Sequence, residues 1–220
     1  MLVVYLDPYF LGDPLFVPGL ARDVAARGTG LVVVHGSGER GERALESLGR
    51  MPTATDGVWQ VGDAEGRAAV ERATRDLNRE VVHELNEAGV SAIRVMGADR
   101  GLLKRVDGRV VAGRTGWLGD LVRRGVVAVV AALAEGEDAL VEVDPARSAG
   151  VLAAALSVPL AVLSTASLDG DGLLSDHEGA VPDARAVRRA AGEGARVRVR
   201  VGLRATLRQP DGPSASLTVG

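Results

Sequence analysis

The stretch LVVVHGSGER, Leu31 to Arg40, carries an apolar run into a polar turn built on Gly36 and Gly38, then into charged, helix-compatible sequence. A glycine-rich turn leaving a parallel strand lets backbone N–H groups approach an anion, and the N-terminus of the next helix adds partial positive charge. HGSG also serves as a sharp structural turn that holds nothing, with His35 supporting it through its ring nitrogens. Other groups able to do chemistry are sparse. There is no cysteine, which excludes disulfides and thiolate metal sites, and His35, His83 and His177 are too scattered for a ligand cluster. Asp169, Asp171 and Asp176 share a Gly-rich loop that lacks the EF-hand spacing; with His177 and Glu178 they read as a solvated turn, and no metal is expected. Lys104 is the only lysine, so nearly all positive charge is arginine.

Composition narrows the partners. The chain has 220 residues, of which 46% are hydrophobic, enough to bury a real core as one large domain or two small lobes. A net charge of -3 with acids and bases mixed along the chain leaves no basic face for a phosphate backbone, so nucleic acid is not an expected partner. No apolar run is long enough to span a bilayer, and MLVVYLDPYF has neither a charged leader nor a small-residue cleavage site. A cytoplasmic protein without membrane contact is expected.

The elements that must position the turn alternate between strands and helices. Leu2 to Leu6 and Leu31 to His35 read as buried strands, and Asp13-Pro14 as the cap of a helix reaching Ala26 and closed by Gly28. Glu39 to Leu48 is helical, and Met51 to Val61 is a loop or hairpin. Val70, Ala73, Leu77, Val81, Leu85 and Ala88 recur at helical spacing between a capping Asp63 and a terminating Gly89, which predicts a long helix from about 64 to 88. Ser91 to Val95 is a strand, and LLKRVDGRVV a hairpin turning on Asp107-Gly108. A short helix from Gly116 to Arg124 and a buried strand from Val126 to Leu133 follow. Then comes a strand-helix-strand unit of Ala139 to Val143, about Ala146 to Leu156, and Leu160 to Leu163. The chain closes with a helix from Asp183 to Ala191, the alternating strand Val197 to Val201 and a final strand pair ending near Val219. This alternation predicts an α/β fold, a three-layer αβα sandwich around a mainly parallel open sheet.

Three segments carry a family resemblance: LVVVHGSG, then LNREVVHELNEAGVSAIRVMGADRGLL from Leu77, then VEVDPARSAGVLAAALSVPLAVLS from Val141. Their order and spacing resemble the amino-acid kinase superfamily, and most of all its acetylglutamate kinase and carrier-protein-linked aminoadipate kinase branch, over Met1 to about Leu163. The resemblance implies a lobe for the acyl amino acid (1–135), a shortened nucleotide lobe (136–220) with Ser164 and Thr165 as nucleotide contacts, and ATP with magnesium phosphorylating a side-chain carboxylate. It also implies a homodimer through the long helix.

Carried over residue by residue, the same resemblance places changes at every charged catalytic position. The family's first strand ends in a lysine followed by two glycines, which stabilise the phosphoryl group in flight; Tyr5 and Asp7-Pro8 stand there. Gln60 takes the place of the substrate arginine, Glu142 and Asp144 replace two asparagines, and Ala146 replaces the organising aspartate. The second family lysine follows a Gly-Gly-Met motif absent after Leu163, and Lys104 on its hairpin is no substitute. The turn Gly36-Ser37-Gly38 is nearly intact, with Ser37 for a glycine. Two functions are therefore expected as alternatives. One is a pseudokinase that regulates an active kinase relative or binds a small anionic metabolite through His35, Gly36, Ser37, Gly38, Gln60, Glu142 and Asp144. The other is a working kinase that uses Arg94, Arg100 or Arg114 in place of lysine.

Overall fold

A computed structural model of the chain describes residues 1–27, 30–136, 138–164, 181–192, 197–201 and 215–216. The first strand, β1 (Leu2–Tyr5), runs into a short helix, α1 (Pro8–Leu11), and then α2 (Phe16–Arg27). Strand β2 (Leu31–His35) leads to α3 (Glu39–Ser47), the small ribbon β3 (Ala54–Thr55) and β4 (Val58–Trp59), and the long helix α4 (Ala64–Glu87). Next come β5 (Ala92–Met96), the hairpin β6 (Leu103–Val106) and β7 (Arg109–Ala112), α5 (Gly116–Arg123) and β8 (Val127–Ala131). A second ribbon, β9 (Leu133–Glu135) and β10 (Leu140–Glu142), precedes α6 (Pro145–Ala155) and β11 (Leu160–Ser164). Helix α7 (Ala184–Ala191), β12 (Val197–Val201) and β13 (Ala215–Ser216) complete the described chain.

Seven strands form the central sheet in the order β13-β12-β11-β1-β2-β8-β5, parallel throughout except for the β12–β13 pair. Period-two alternation sorts the strand side chains to two faces. Val3, Tyr5, Val32, Val34 and Val130 join Leu152 of α6 and Leu118 and Val122 of α5 in one core. Leu2, Val4, Val33 and Val129 pack with Leu20 and Val24 of α2 and Leu77, Val81 and Leu85 of α4 in the other. The expected αβα sandwich results. Winding reverses at β1, which pairs with β2 on one side and β11 on the other; ligands of open α/β sheets sit beyond the C-terminal strand ends at such a point.

Local differences from the sequence reading have local causes. Helix α2 starts at Phe16, because the Asp13 carboxylate caps a separate turn by accepting Leu15 N–H at 2.9 Å. The preceding Asp-Pro pair makes a helix instead: Asp7 accepts Tyr9 N–H at 2.9 Å with Pro8 in the first turn. Ala139 to Val143 does not join the main sheet. Its strand β10 pairs antiparallel with β9 and lies beyond the end of β8, where Ala132 N–H takes the His35 carbonyl and Val143 N–H takes the Ala132 carbonyl. Both Asp-Gly hairpins turn with left-handed residues, Asp56 (φ 54) with Gly57 (φ 73) and Asp107 (φ 49) with Gly108 (φ 76), the geometry that fits the twist of the flanking strands. Gly28, the acidic loop with Asp169, Asp171, Asp176 and His177, and Val219 lie outside the described residues. Among the described residues no helix is long and apolar enough to cross a membrane.

The stripe on α4 belongs to the chain's own core. Leu77 is 1% and Val81 0% exposed, both packed against the sheet. The opposite face carries Arg72, Arg75, Asp76, Arg79 and His83. The stripe is thus not the surface a second copy would meet.

Candidate functional site

His35 ends β2 fully buried. Its Nδ1 lies 2.8 Å from the Gly36 carbonyl, which only accepts, so the hydrogen sits on Nδ1 and Nε2 accepts from Asn78 Nδ2 at 3.0 Å. Burial pushes the ring down to about 4, with the nearby Arg40 adding to the effect, and the imidazole is therefore neutral at pH 7. Asn78 also donates to the Val129 carbonyl at 2.9 Å, tying α4, β2 and β8 together. With Thr74 it is one of two buried polar residues on the inner face of α4.

The glycines beyond His35 are dictated by space. A Cβ on Gly36 would stand 2.5 Å from Pro145 Cγ and 2.8 Å from Glu142 Oε1, and Gly38 holds a left-handed φ of 53°. Between them Ser37 donates its backbone N–H to Glu142 Oε1 and its hydroxyl to Glu142 Oε2 at 3.1 Å. Trp59 Nε1 donates to the Ser37 hydroxyl at 3.1 Å, which anchors the β3–β4 ribbon to the turn. The turn does hold a carboxyl group, and it is the chain's own. Burial raises the Glu142 carboxyl to about 7, even though the Ser37 bonds and a Trp59 backbone bond pull the other way.

The end of β1 is the second part of the site. Tyr5 is buried, and burial together with the negative field of Asp7, Asp144 and Asp183 holds its phenol well above the usual range, hence protonated. Asp7 is raised by burial against the pull of its Tyr9 bond, and Pro8 offers no N–H. Asp144 caps α6 by accepting Arg147 N–H at 3.0 Å and also takes Arg189 Nε at 2.6 Å; burial raises it and these partners lower it. Arg189, 14% exposed, reaches Asp56 on the ribbon tip at 3.5 Å as well. Ala146 is enclosed in α6 and offers no functional group. A phenol, three carboxylates and one doubly engaged arginine thus gather where the resemblance puts cations and amide donors. Among the described residues the carboxylates of this set would repel the phosphates of ATP, and the Ser37 N–H is already given to Glu142.

Beside these groups lies a cleft of about 380 Å³. The ribbon lends it Thr55, Trp59 and Gln60, and β10 and the α6 cap lend Glu142 and Asp144. Four arginines also line it: Arg67 in the first turn of α4, Arg105 and Arg109 around the Asp107-Gly108 turn, and Arg147 on α6. Arg67 Nη1 donates to the Gly62 carbonyl at 3.3 Å, and Gln60 Nε2 to the Val58 carbonyl at 3.2 Å. Gln60, Glu142 and Asp144 therefore line one cleft, and Glu142 joins it to the glycine turn that follows His35. The four arginines are additions that the sequence reading lacked. In a chain whose basic residues are nearly all arginine, nothing local distinguished them. Arg94, Arg100 and Arg114 do not line the cleft; Arg189 is the cation beside Tyr5. Lys104 is exposed on β6. Ser164 ends β11, and Thr165 lies outside the described residues.

With this geometry in place, similarity to known proteins is specific. The sequence profile of the Amino acid kinase family matches residues 12–207. The acetylglutamate kinase of Roseiflexus sp. (strain RS-1) is 35% identical over 176 residues, covering 74% of this chain and 67% of that protein. Among solved structures, an N-acetylglutamate synthase from Neisseria gonorrhoeae, complexed with coenzyme A and N-acetyl-glutamate, superposes with a TM-score of 0.71 at 18% identity, over 100% of this chain and 60% of that one. An isopentenyl phosphate kinase gives a TM-score of 0.64 at 14% identity, over 99% and 100%. At these identities the structures speak to fold alone.

Proposed function

The chain belongs to the amino acid kinase family, and from that premise we propose that it binds a small multivalent carboxylate in its arginine-lined cleft without transferring phosphate to it. It acts as a sensor or as a regulatory partner of an active relative. The observation that carries this reading is the Glu142 carboxyl seated on the Ser37 N–H and hydroxyl. Phosphoryl transfer leaves little covalent chemistry to the protein, so its rate rests on cations and amide donors around the moving group. Here an internal carboxyl takes an amide of the glycine turn, and Tyr5, Asp7 and Pro8 supply neither cation nor donor. Removing one such donor costs on the order of 100-fold to 1000-fold in rate, and several are missing together.

The cleft itself is lined by cations. Arg67, Arg105, Arg109 and Arg147 outnumber the acids on its wall, where Asp144 and Asp56 face Arg189 and Glu142 faces Ser37. Guanidinium groups bind carboxylates through two parallel N–H bonds, so a di- or tricarboxylate matches this lining. Titration calorimetry with acetylglutamate and acetylaminoadipate tests the reading. Saturable binding that Arg105→Gln/Arg109→Gln weakens about tenfold or more is expected. No heat from either compound, or binding indifferent to those arginines, refutes it.

A second reading has its own support: the curated relative at 35% identity is named an acetylglutamate kinase. An active enzyme would need Arg189 to exchange Asp144 and Asp56 for the transferring phosphate. Turnover abolished by Arg189→Met would favour that alternative.

A further inference from the structure

On the far edge of the sheet, β5 and α5 border a second groove of about 570 Å³, which shares no lining residue with the cleft. It presents Arg94 from the edge strand, Arg100 from the 3-10 turn after that strand, and Arg124 from the C-terminal end of α5. We propose that this groove is an anion site for a pyrophosphate-type ligand, two or more linked phosphates, separate from the carboxylate cleft.

Charge supports the assignment first. The groove's two acids are engaged elsewhere: Asp99 accepts Met96 N–H at 2.8 Å, and Asp120 pairs with Arg123 outside the groove. None of the three arginines has a carboxylate partner among the described residues. The three exposed arginines outnumber the groove's two acids and leave it a net positive charge for an anion.

Backbone geometry is the second support. Arg100 sits at φ 53°, ψ 22°, a left-handed conformation that side chains other than glycine, asparagine and aspartate rarely adopt. That conformation accompanies a guanidinium placed over the Trp117 ring, 5.3 Å from its centroid. Trp117 is half-buried against the core, so its ring is a fixed platform that presents Arg100 at the groove. Arg124 follows the carbonyl end of α5, whose partial negative charge steadies it. Three rigidly based forks from separate segments exceed what one carboxylate can accept, whereas linked phosphates offer several oxygens at once.

The test titrates the full chain with inorganic pyrophosphate, tripolyphosphate and ADP by calorimetry at low, matched ionic strength, because exposed charges are screened by salt. Saturable binding is expected, weakened about tenfold or more in Arg94→Gln/Arg124→Gln and unchanged in the cleft variant Arg105→Gln/Arg109→Gln. Should the double variant fail to fold, Arg100→Gln carries the same expectation. ADP binding no tighter than pyrophosphate assigns the ligand to phosphate alone, and tighter ADP binding to a nucleotide; both uphold the site. The proposal is overturned by no saturation up to about 5 mM of any of the three. It is also overturned if binding survives in the groove variants, or disappears in the cleft variant instead.

Discussion

Replacing Glu142 with glutamine separates the charge of this residue from its hydrogen bonds. Glutamine keeps an oxygen for the Ser37 N–H and offers its amide to the Ser37 hydroxyl, so the contacts persist while ionisation is removed. The wild-type carboxyl is raised from 4.5 to about 7, chiefly by burial. A carboxyl with a raised pKa binds its proton more tightly in the folded state, so its contribution is most favourable below 4.5 and is lost as pH rises through 7. The full shift corresponds to about 3 kcal/mol, and the residue's partial opening to the cleft lowers this toward about 2 kcal/mol. His35 works in the opposite direction: lowered from 6.5 to about 4, it favours folding above 6.5 and loses that contribution as pH falls. The two nearly cancel in the wild type between about pH 4.5 and 6.5, so a single stability curve hides both. The difference between Glu142→Gln and wild type exposes the carboxyl. Urea unfolding should show the two proteins about equal near pH 4.5 and the variant more stable by about 2–3 kcal/mol at pH 8, and thermal unfolding at pH 8 a Tm gain of about 4–12 °C. A wild type more stable than the variant at pH 8 would refute the reasoning, because the Ser37 bonds would then outweigh burial and Glu142 would be an ordinary ionised carboxylate.

Three further expectations concern the frame. The His35 ring should stay neutral, with hydrogen on Nδ1, so its carbon and nitrogen NMR shifts should not move between pH 8 and about pH 5; titration near 6.5 would contradict its burial. Gly150→Ala places a Cβ 2.2 Å from the Ala190 carbonyl oxygen, where α6 and α7 touch, and should destabilise by about 1–3 kcal/mol in chemical unfolding; a neutral result would mean the helices can separate freely. Leu77→Asp buries an unpaired charge in the α2–α4 core and should abolish cooperative unfolding in circular dichroism, whereas a folded variant of altered assembly state would place Leu77 on a partner surface instead.

The frame was legible because its signals are local. Apolar runs marked β1, β2 and β8, and the spacing of Val70, Leu77, Val81 and Leu85 between Asp63 and Gly89 marked α4. Caps were harder to read, since Asp7-Pro8 and Asp13-Pro14 look alike in sequence and only the first opens a helix directly. Ala139 to Val143 has strand character but pairs with β9, a choice made by where β8 ends. The site lies beyond local pattern. Ser37 and Glu142 are 105 residues apart, and Asp144 meets Arg189 across 45. Family resemblance singles out Ser37, Glu142 and Asp144 one by one but not Arg189, and their mutual bonds are products of the fold. The arginines of the cleft carry no signal against an arginine background, and nothing local in the sequence pairs Asn78 with His35 Nε2 across 43 residues.

The central claim is that the chain binds its ligand without phosphorylating it, and a hydroxamate trap for acyl phosphate tests this most directly. Acetylglutamate or acetylaminoadipate is incubated with millimolar ATP and magnesium while a coupled assay follows ADP. The account predicts no hydroxamate and no ADP above the enzyme-free control, because Tyr5, Asp7 and Pro8 supply neither cation nor donor, Glu142 occupies the Ser37 N–H, and Arg189 is held by Asp144 and Asp56. Turnover of about one per second, an ordinary enzymatic rate, that disappears in Arg189→Met would contradict it and make this chain a working kinase.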